Sequence, residues 1–137
     1  MGGLAGLRLL LDTHIWIWSL SNLKRLAKPT ITALQSSRNE LWLSPISVWE
    51  FLVLAQKGRL ILDTDPRAWI VEAMKRAPMK EAPLSYEIAI ESRFIDLPHQ
   101  DPGDRFLAAT AKVLDLTLVT GDERLMHSRD FSVFANR

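Results

Sequence analysis

Three times along this chain a residue with a short polar side chain stands directly before proline: Ser44-Pro45, Asp65-Pro66 and Asp101-Pro102. A hydroxyl or carboxylate at such a position accepts hydrogen bonds from the free N–H groups that open a helix. Proline fits the first turn because it has no N–H to leave unpaired. Each pair therefore fixes a helix start. After the first, Ile46, Trp49, Val53 and Leu54 recur on one helical face until Gly58. After the second the stripe is Trp69, Ile70, Ala73 and Met74, and after the third it is Phe106, Ala109, Val113 and Leu114. Another helix is predicted from Ser85 to Phe94. One more spans about Asn22 to Arg38 on Leu23, Leu26, Ile31 and Leu34, with Pro29 expected to break it in two.

Between these helices lie apolar runs too short to be helices themselves. Leu7 to Leu11 reads as a strand buried on both faces, Leu41 to Ser44 and Leu116 to Val119 read as strands, and Phe131 to Phe134 is a candidate for another. Strand and helix alternate, which predicts an α/β fold around a central, mainly parallel sheet. A chain of 137 residues suits one domain. We expect a loose, Gly-rich tail over residues 1–6 and a single domain over 7–137.

The charge balance excludes some partners and leaves others open. Seventeen basic and 16 acidic residues give a net charge of +1, so any nucleic-acid contact has to be local and not a property of the whole surface. There is no cysteine, which removes disulfides, thiolate nucleophiles and Cys-ligated zinc, and suits a reducing cytoplasm. The opening MGGLAGLRLLLDTH lacks a basic leader, and Arg8 and Asp12 interrupt its apolar run. It predicts neither a secretion signal nor a membrane span.

Chemistry concentrates in acids that follow the strands or open the helices. Asp12 comes directly after the first strand, Glu50 lies in the second turn of the Ser44-capped helix, Asp104 is in the first turn of the Asp101-capped helix, and Asp122 lies three residues past Val119. In open parallel α/β sheets the ligand crevice lies beyond the carboxyl ends of the strands, at the switch in strand order. All four could reach that edge. Gathered without a partner they would repel, and burial would push their pKa values up. A hard divalent cation such as Mg²⁺ or Mn²⁺, which prefers oxygen ligands, resolves the conflict. Such a site can activate a water and stabilise an in-line phosphodiester transition state.

Each acid also has a structural reading. Asp101 is an ordinary N-cap before Pro102, Asp104 could satisfy free N–H groups in the first turn, and Asp122 could cap a turn. Asp12 is harder to explain that way, because a carboxylate directly after a buried strand needs a partner. Thr13 and Thr120 are close enough to Asp12 and Asp122 to hydrogen-bond and orient them. His14, His99 and His127 show no metal-ligand spacing, and no nucleotide-binding glycine loop is present. Trp16, Trp18 and Trp49 read as core or interface ahead of base-stacking platforms.

The segments LLLDTHIWIW, SPISVWEFLVLAQKGRLIL and LPHQDPGDRFLAATAKVLDLTLVTGDERL together resemble the PIN domain, in particular the VapC-type toxins of bacterial and archaeal toxin–antitoxin pairs. The likeness runs from about Leu9 to Phe134. It implies a three-layer α/β/α sandwich and a Mg²⁺- or Mn²⁺-dependent endoribonuclease restrained by a small antitoxin. Residue by residue, the family's four acids fall on Asp12, Glu50, Asp104 and Asp122. Asp12 and Asp104 are then the direct metal ligands, and Glu50 and Asp122 complete the site through water or a second metal. Asp101 supports, and Arg105 either contacts phosphate or anchors an acid. The likeness also implies a homodimer and an antitoxin arm that places a basic side chain near the carboxylates. Exposed aromatic surface on the first helices would serve such interfaces. Lys57, Arg59, Arg105 and Arg124 are candidates to meet substrate phosphate. Gly103 departs from the pattern, standing where the family usually carries a bulky apolar side chain. Two other readings use the same residues: a catalytically silent PIN-like binding module whose acids only cap helices, and a metal-dependent phosphatase or deoxyribonuclease.

Overall fold

All three cap-and-proline pairs start helices in the computed structural model, which describes residues 6–137. In chain order the elements are β1 (Arg8–Leu11), α1 (Thr13–Ser21), a 3-10 turn (Leu23–Arg25), α2 (Lys28–Gln35), β2 (Glu40–Leu43), α3 (Pro45–Gln56), α4 (Pro66–Arg76), β3 (Lys80–Glu81), α5 (Tyr86–Glu91), α6 (Pro102–Leu114), β4 (Thr117–Thr120), a second 3-10 turn (Glu123–Leu125) and β5 (Ser132–Ala135). The Ser44 hydroxyl accepts from the Ile46 N–H, Asp65 from that of Ala68, and Asp101 from those of Gly103 and Asp104. Of the expected tail, residues 1–5 lie outside the described residues, and Gly6 is exposed and irregular.

The five strands form one sheet in the order β3-β2-β1-β4-β5, every neighbouring pair parallel. Side chains of β1 alternate between its faces, as strand geometry requires. Leu9 and Leu11 join a core with Ile15, Trp16, Phe51 and Ala73, while Leu10 joins Leu107, Ala108, Ala111 and Leu118 on the other side. The sheet is thus the middle layer of three, with α1, α3 and α4 on one face and α6 on the other. Trp16, Phe51 and Trp69 tie the first face together, with ring centroids 5.8 Å, 5.7 Å and 4.4 Å apart pairwise. Aromatic pairs at such distances add to plain area burial.

Two elements have no signature in the sequence pattern, α1 and β3. The segment Thr13–Ser21 is a helix, although its Ile-Trp-Ile-Trp run has the period-two look of a strand and no helix is expected there from the pattern. The Asp12 side chain caps it by accepting from the Thr13 N–H, and burial of Ile15, Trp16 and Ile17 overrides the weak intrinsic preference. The expected break in the 22–38 segment falls just ahead of Pro29, which stands in the first turn of α2 after the Leu23–Arg25 turn. The two-residue β3 has no apolar signature and extends the sheet only through its pairing with β2.

Candidate functional site

The strand order switches beside β1: the chain runs out to β2 on one side and later returns to β4 on the other. Asp12 follows β1 directly and Asp122 follows β4 after Gly121. Glu50 comes from α3 and Asp104 from the first turn of α6. These four carboxylates and Asp101 line one open cleft of about 480 Å³, together with Arg25 and Arg124. Five acids against two arginines leave the cleft negative.

Most of the carboxylate oxygens have a defined holder. Asp12 Oδ1 accepts from the Thr13 N–H at 2.7 Å, and its Oδ2 accepts from the Thr120 hydroxyl at 2.6 Å. The Thr13 hydroxyl donates to Glu50 Oε1 at 2.6 Å. Asp104 Oδ2 is 2.8 Å from His99 Nε2 and 3.5 Å from Arg124 Nη2. Arg124 grips Asp122 with Nη2 at 2.8 Å and Nε at 3.1 Å. The two threonines thus act across elements, Thr13 on Glu50 and Thr120 on Asp12, while Thr120 Oγ1 also accepts from the Asp122 N–H.

Burial is the leading cause that pushes Asp12 above the ordinary carboxylate range; Thr120 and Thr13 hold it down in part. Glu50 and Asp104 are raised in the same way, first by burial and further by the charges of the neighbouring acids. Asp122 runs the other way, lowered first by its hydrogen bonds from the Arg124 side chain. The departure at Gly103 has a local reason. A Cβ there would fall 2.8 Å from Glu50 Oε2, so the glycine leaves the space that the Glu50 carboxylate occupies. Among the described residues Glu50 caps no helix and no basic side chain bonds it.

Asp101 is the N-cap expected of it, bonded to the N–H groups of Gly103 and Asp104 at 3.0 Å and 3.4 Å. Arg105 does neither thing proposed for it. It is buried and donates to backbone carbonyls: Ser92 at 2.8 Å, Ile95 at 2.9 Å, His99 at 3.0 Å and Leu97 at 3.5 Å. It ties the 92–99 loop to α6 and so presents His99 to Asp104. His99 is the residue that spacing misses, because its contact depends on a loop folded around a buried guanidinium. Replacing Arg105 by Ala leaves several buried carbonyls unpaired, at about 1–3 kcal/mol each. Equilibrium urea denaturation should show a loss of about 3 kcal/mol or more. Arg105→Lys should recover little of it, because one ammonium cannot span the same carbonyls. A wild-type midpoint in Arg105→Ala would contradict this role.

The donor set suits a hard divalent cation. It offers carboxylate oxygens only, desolvated and mutually repelling, with no sulfur and no imidazole pair. Among the described residues no three acidic or histidine side chains are closed into a finished coordination shell; the oxygens are turned to Thr13, Thr120, His99 and Arg124. The exposed aromatic surface is only partly on the first helices. Trp16 is buried, whereas Trp49 of α3 and the α5 stripe of Tyr86 and Ile90, with Phe94 beyond it, are exposed. No helix among the described residues is long and apolar enough to cross a membrane.

Residues 9–130 match the family model of the PIN domain. Ribonuclease VapC22 of Mycobacterium tuberculosis (strain ATCC 25618 / H37Rv) is 29% identical over 123 residues, covering 88% of this chain and 91% of that protein. Among solved structures, VapBC2 from Rickettsia felis bound to a DNA fragment from its promoter superposes with a TM-score of 0.70 at 12% identity, covering 94% of this chain and 98% of that one. DNA-bound VapBC from Salmonella typhimurium gives a TM-score of 0.68 at 17% identity, covering 96% and 99%. At these identities the structural likeness speaks for the fold alone.

Proposed function

This chain belongs to the PIN domain family, and on that premise we propose that it is the toxin of a toxin–antitoxin pair, an endoribonuclease that hydrolyses RNA phosphodiester bonds at its acidic cleft. The observation that carries the reading is the desolvated trio of Asp12, Glu50 and Asp104, brought from three elements to one cleft and each raised in pKa. Asp12 and Asp104 are placed by their helices and also cap or open them, but Glu50 has no capping role. A purely structural set of acids has no need of it. Three desolvated carboxylates in one cleft, raised in pKa despite the hydrogen bonds that hold them, call for a cation.

In this reading Asp12 and Asp104 hold Mg²⁺ or Mn²⁺ directly, and Glu50 and Asp122 complete the site through water. The bound ion would supply Lewis-acid stabilisation of the phosphodiester and a water of lowered pKa. Thr120 and Thr13 fix the Asp12 and Glu50 carboxylates, so that little reorganisation is left to the reaction. His99 Nε2 holds Asp104 Oδ2 at 2.8 Å and so fixes the carboxylate beside the cleft. Arg124, mostly exposed and resting on Asp122 and Asp104, offsets part of the negative charge of the cleft and can turn to a substrate phosphate. An antitoxin partner follows from the company the fold keeps, since the two superposed structures are VapBC assemblies. The exposed Trp49 and α5 aromatics support a homodimer through α3 and α5.

The substrate class is decided by a direct comparison. Purified protein with Mn²⁺ should fragment single-stranded RNA, leave single-stranded DNA of the same sequence largely intact, and release no phosphate from a simple phosphomonoester. EDTA should stop the RNA cleavage. Turnover of DNA or phosphomonoester at the RNA rate would replace the reading with a general phosphoesterase.

A further inference from the structure

One wall of the acidic cleft is aromatic and cationic. His14 and Trp18 stand four residues apart on α1, and so on one helical face. Their ring centroids are 5.5 Å apart at a tilt of 48°. The Arg25 guanidinium lies over the Trp18 ring, 4.7 Å from its centroid. Trp16, two residues earlier and therefore on the opposite side of the helix, is fully buried, while Trp18 is only half-buried and lines the cleft with His14 and Arg25. The wall is held in place. Asn136 Nδ2 donates to the Arg25 carbonyl at 3.0 Å, its Oδ1 accepts from the Ala27 N–H at 2.8 Å, and its own N–H donates to the Thr120 carbonyl at 2.8 Å. Asn136 thereby locks the Leu23–Arg25 turn to β4, the strand that leads into the acidic site.

We propose that Trp18, flanked by His14 and Arg25, is a base-stacking subsite for a single-stranded RNA nucleotide adjoining the phosphate that the acids address. The proposal rests on the RNA-cleavage reading of the cleft. Unpaired bases are recognised by stacking on aromatic rings and guanidinium planes, beside cations that meet the backbone. Arg25 now covers Trp18 as a planar cation. A cation–π contact at an exposed site is weaker than base–aromatic stacking, so a base can take its place. The displaced guanidinium, still anchored through its backbone by Asn136, then lies next to a phosphate. The cleft volume of about 480 Å³ falls within the size range of small-molecule sites.

The test uses full-length protein carrying Asp12→Asn, so that RNA stays intact, and fluorescence anisotropy of a labelled short oligoribonucleotide with Mg²⁺. Adding Trp18→Leu should weaken binding roughly 10-fold. Trp18→Phe, which keeps a ring, should restore most of it. An abasic nucleotide at one position of the oligomer should cause a similar loss in the parent and no further loss in Trp18→Leu. Unchanged affinity in Trp18→Leu, or an equal loss for every abasic oligomer, overturns the subsite. So does a variant that binds RNA as before but no longer binds an antitoxin peptide, since the wall would then be a protein-docking surface. Thermal midpoints matched to the parent guard against misfolding. Cleavage without Trp18-dependent binding sinks the subsite alone; Trp18-dependent, base-sensitive binding without cleavage by the wild type sinks the nuclease reading alone.

Discussion

Asp12→Asn is expected to yield a folded protein that has lost nearly all RNA cleavage. The asparagine side chain has the same shape, its oxygen can still accept from the Thr13 N–H that Asp12 caps, and its amide can face the Thr120 hydroxyl, which is free to rotate. The α1 cap and the β1–β4 junction therefore survive. What disappears is a negative charge held in a buried place. Burial already raises the Asp12 pKa, so removing that charge costs the fold nothing at neutral pH and can raise its thermal midpoint. Catalysis has no such compensation. A ligand that anchors a divalent ion supports several kcal/mol of transition-state charge stabilisation, so its loss should lower RNA cleavage by about 10²–10⁴-fold. Cleavage of a fluorogenic RNA and growth of cells expressing the variant, alongside a melting curve, check both halves. Cleavage within a few-fold of wild type would refute the assignment, and a collapsed fold would show that Asp12 is structural first.

The strand ends and the helix caps were readable from sequence for a physical reason. A cap residue followed by proline is a local signal, decided by groups within one turn, and Ser44, Asp65 and Asp101 all perform that role. Short apolar runs located β1, β2 and β4, which carry the core on both faces. Helix α1 escaped because its Ile-Trp-Ile-Trp run reports burial on nearly all sides, a condition set by Phe51 and Trp69 far along the chain. The acids were legible as a set, since Asp12 and Asp122 follow strands, Asp104 opens a helix and Glu50 lies in the second turn of another. Their holders were not. Thr13 and Thr120 bond the neighbouring Asp12 and Asp122 through backbone N–H groups, but their hydroxyls also donate to Glu50, 37 residues away, and to Asp12, 108 residues away, contacts that adjacency in sequence does not give. Arg105 looked like an anion-binding side chain beside an acidic motif, but its partners are the carbonyls of a loop whose path no spacing rule gives. Gly103 reads as a missing side chain until Glu50 is seen against it.

Divalent metal should raise the melting temperature strongly at neutral pH and hardly at all in acid. Asp12, Glu50 and Asp104 titrate above their ordinary values of 3.8, 4.5 and 3.8 when folded. For groups raised in this way, the folded chain binds more protons than the unfolded one. The stability they contribute is complete below those ordinary values and is lost as pH rises through the raised ones. Asp122 acts in the opposite sense: its Arg124 pair contributes stability above 3.8 that is lost as pH falls through the lowered value. The difference in midpoint between Asp12→Asn and wild type isolates the first effect, and in metal-free buffer it should grow in favour of the variant as pH rises from acid to neutral. A cation removes the repulsion where the carboxylates are ionised. At about 100 times its dissociation constant it stabilises by roughly 2.7 kcal/mol, which in a domain of this size moves the midpoint by roughly 10 °C. Protons and metal compete for the same oxygens, so the gain fades as pH falls. Because His99 holds Asp104 Oδ2, His99→Ala should require about 10–100-fold more Mn²⁺ for the same gain, with calorimetric titration giving the same ratio. If Mn²⁺ leaves the midpoint unmoved at neutral pH, or moves it equally in an Asp12→Asn, Asp104→Asn double variant, the acidic cleft is not where the metal binds.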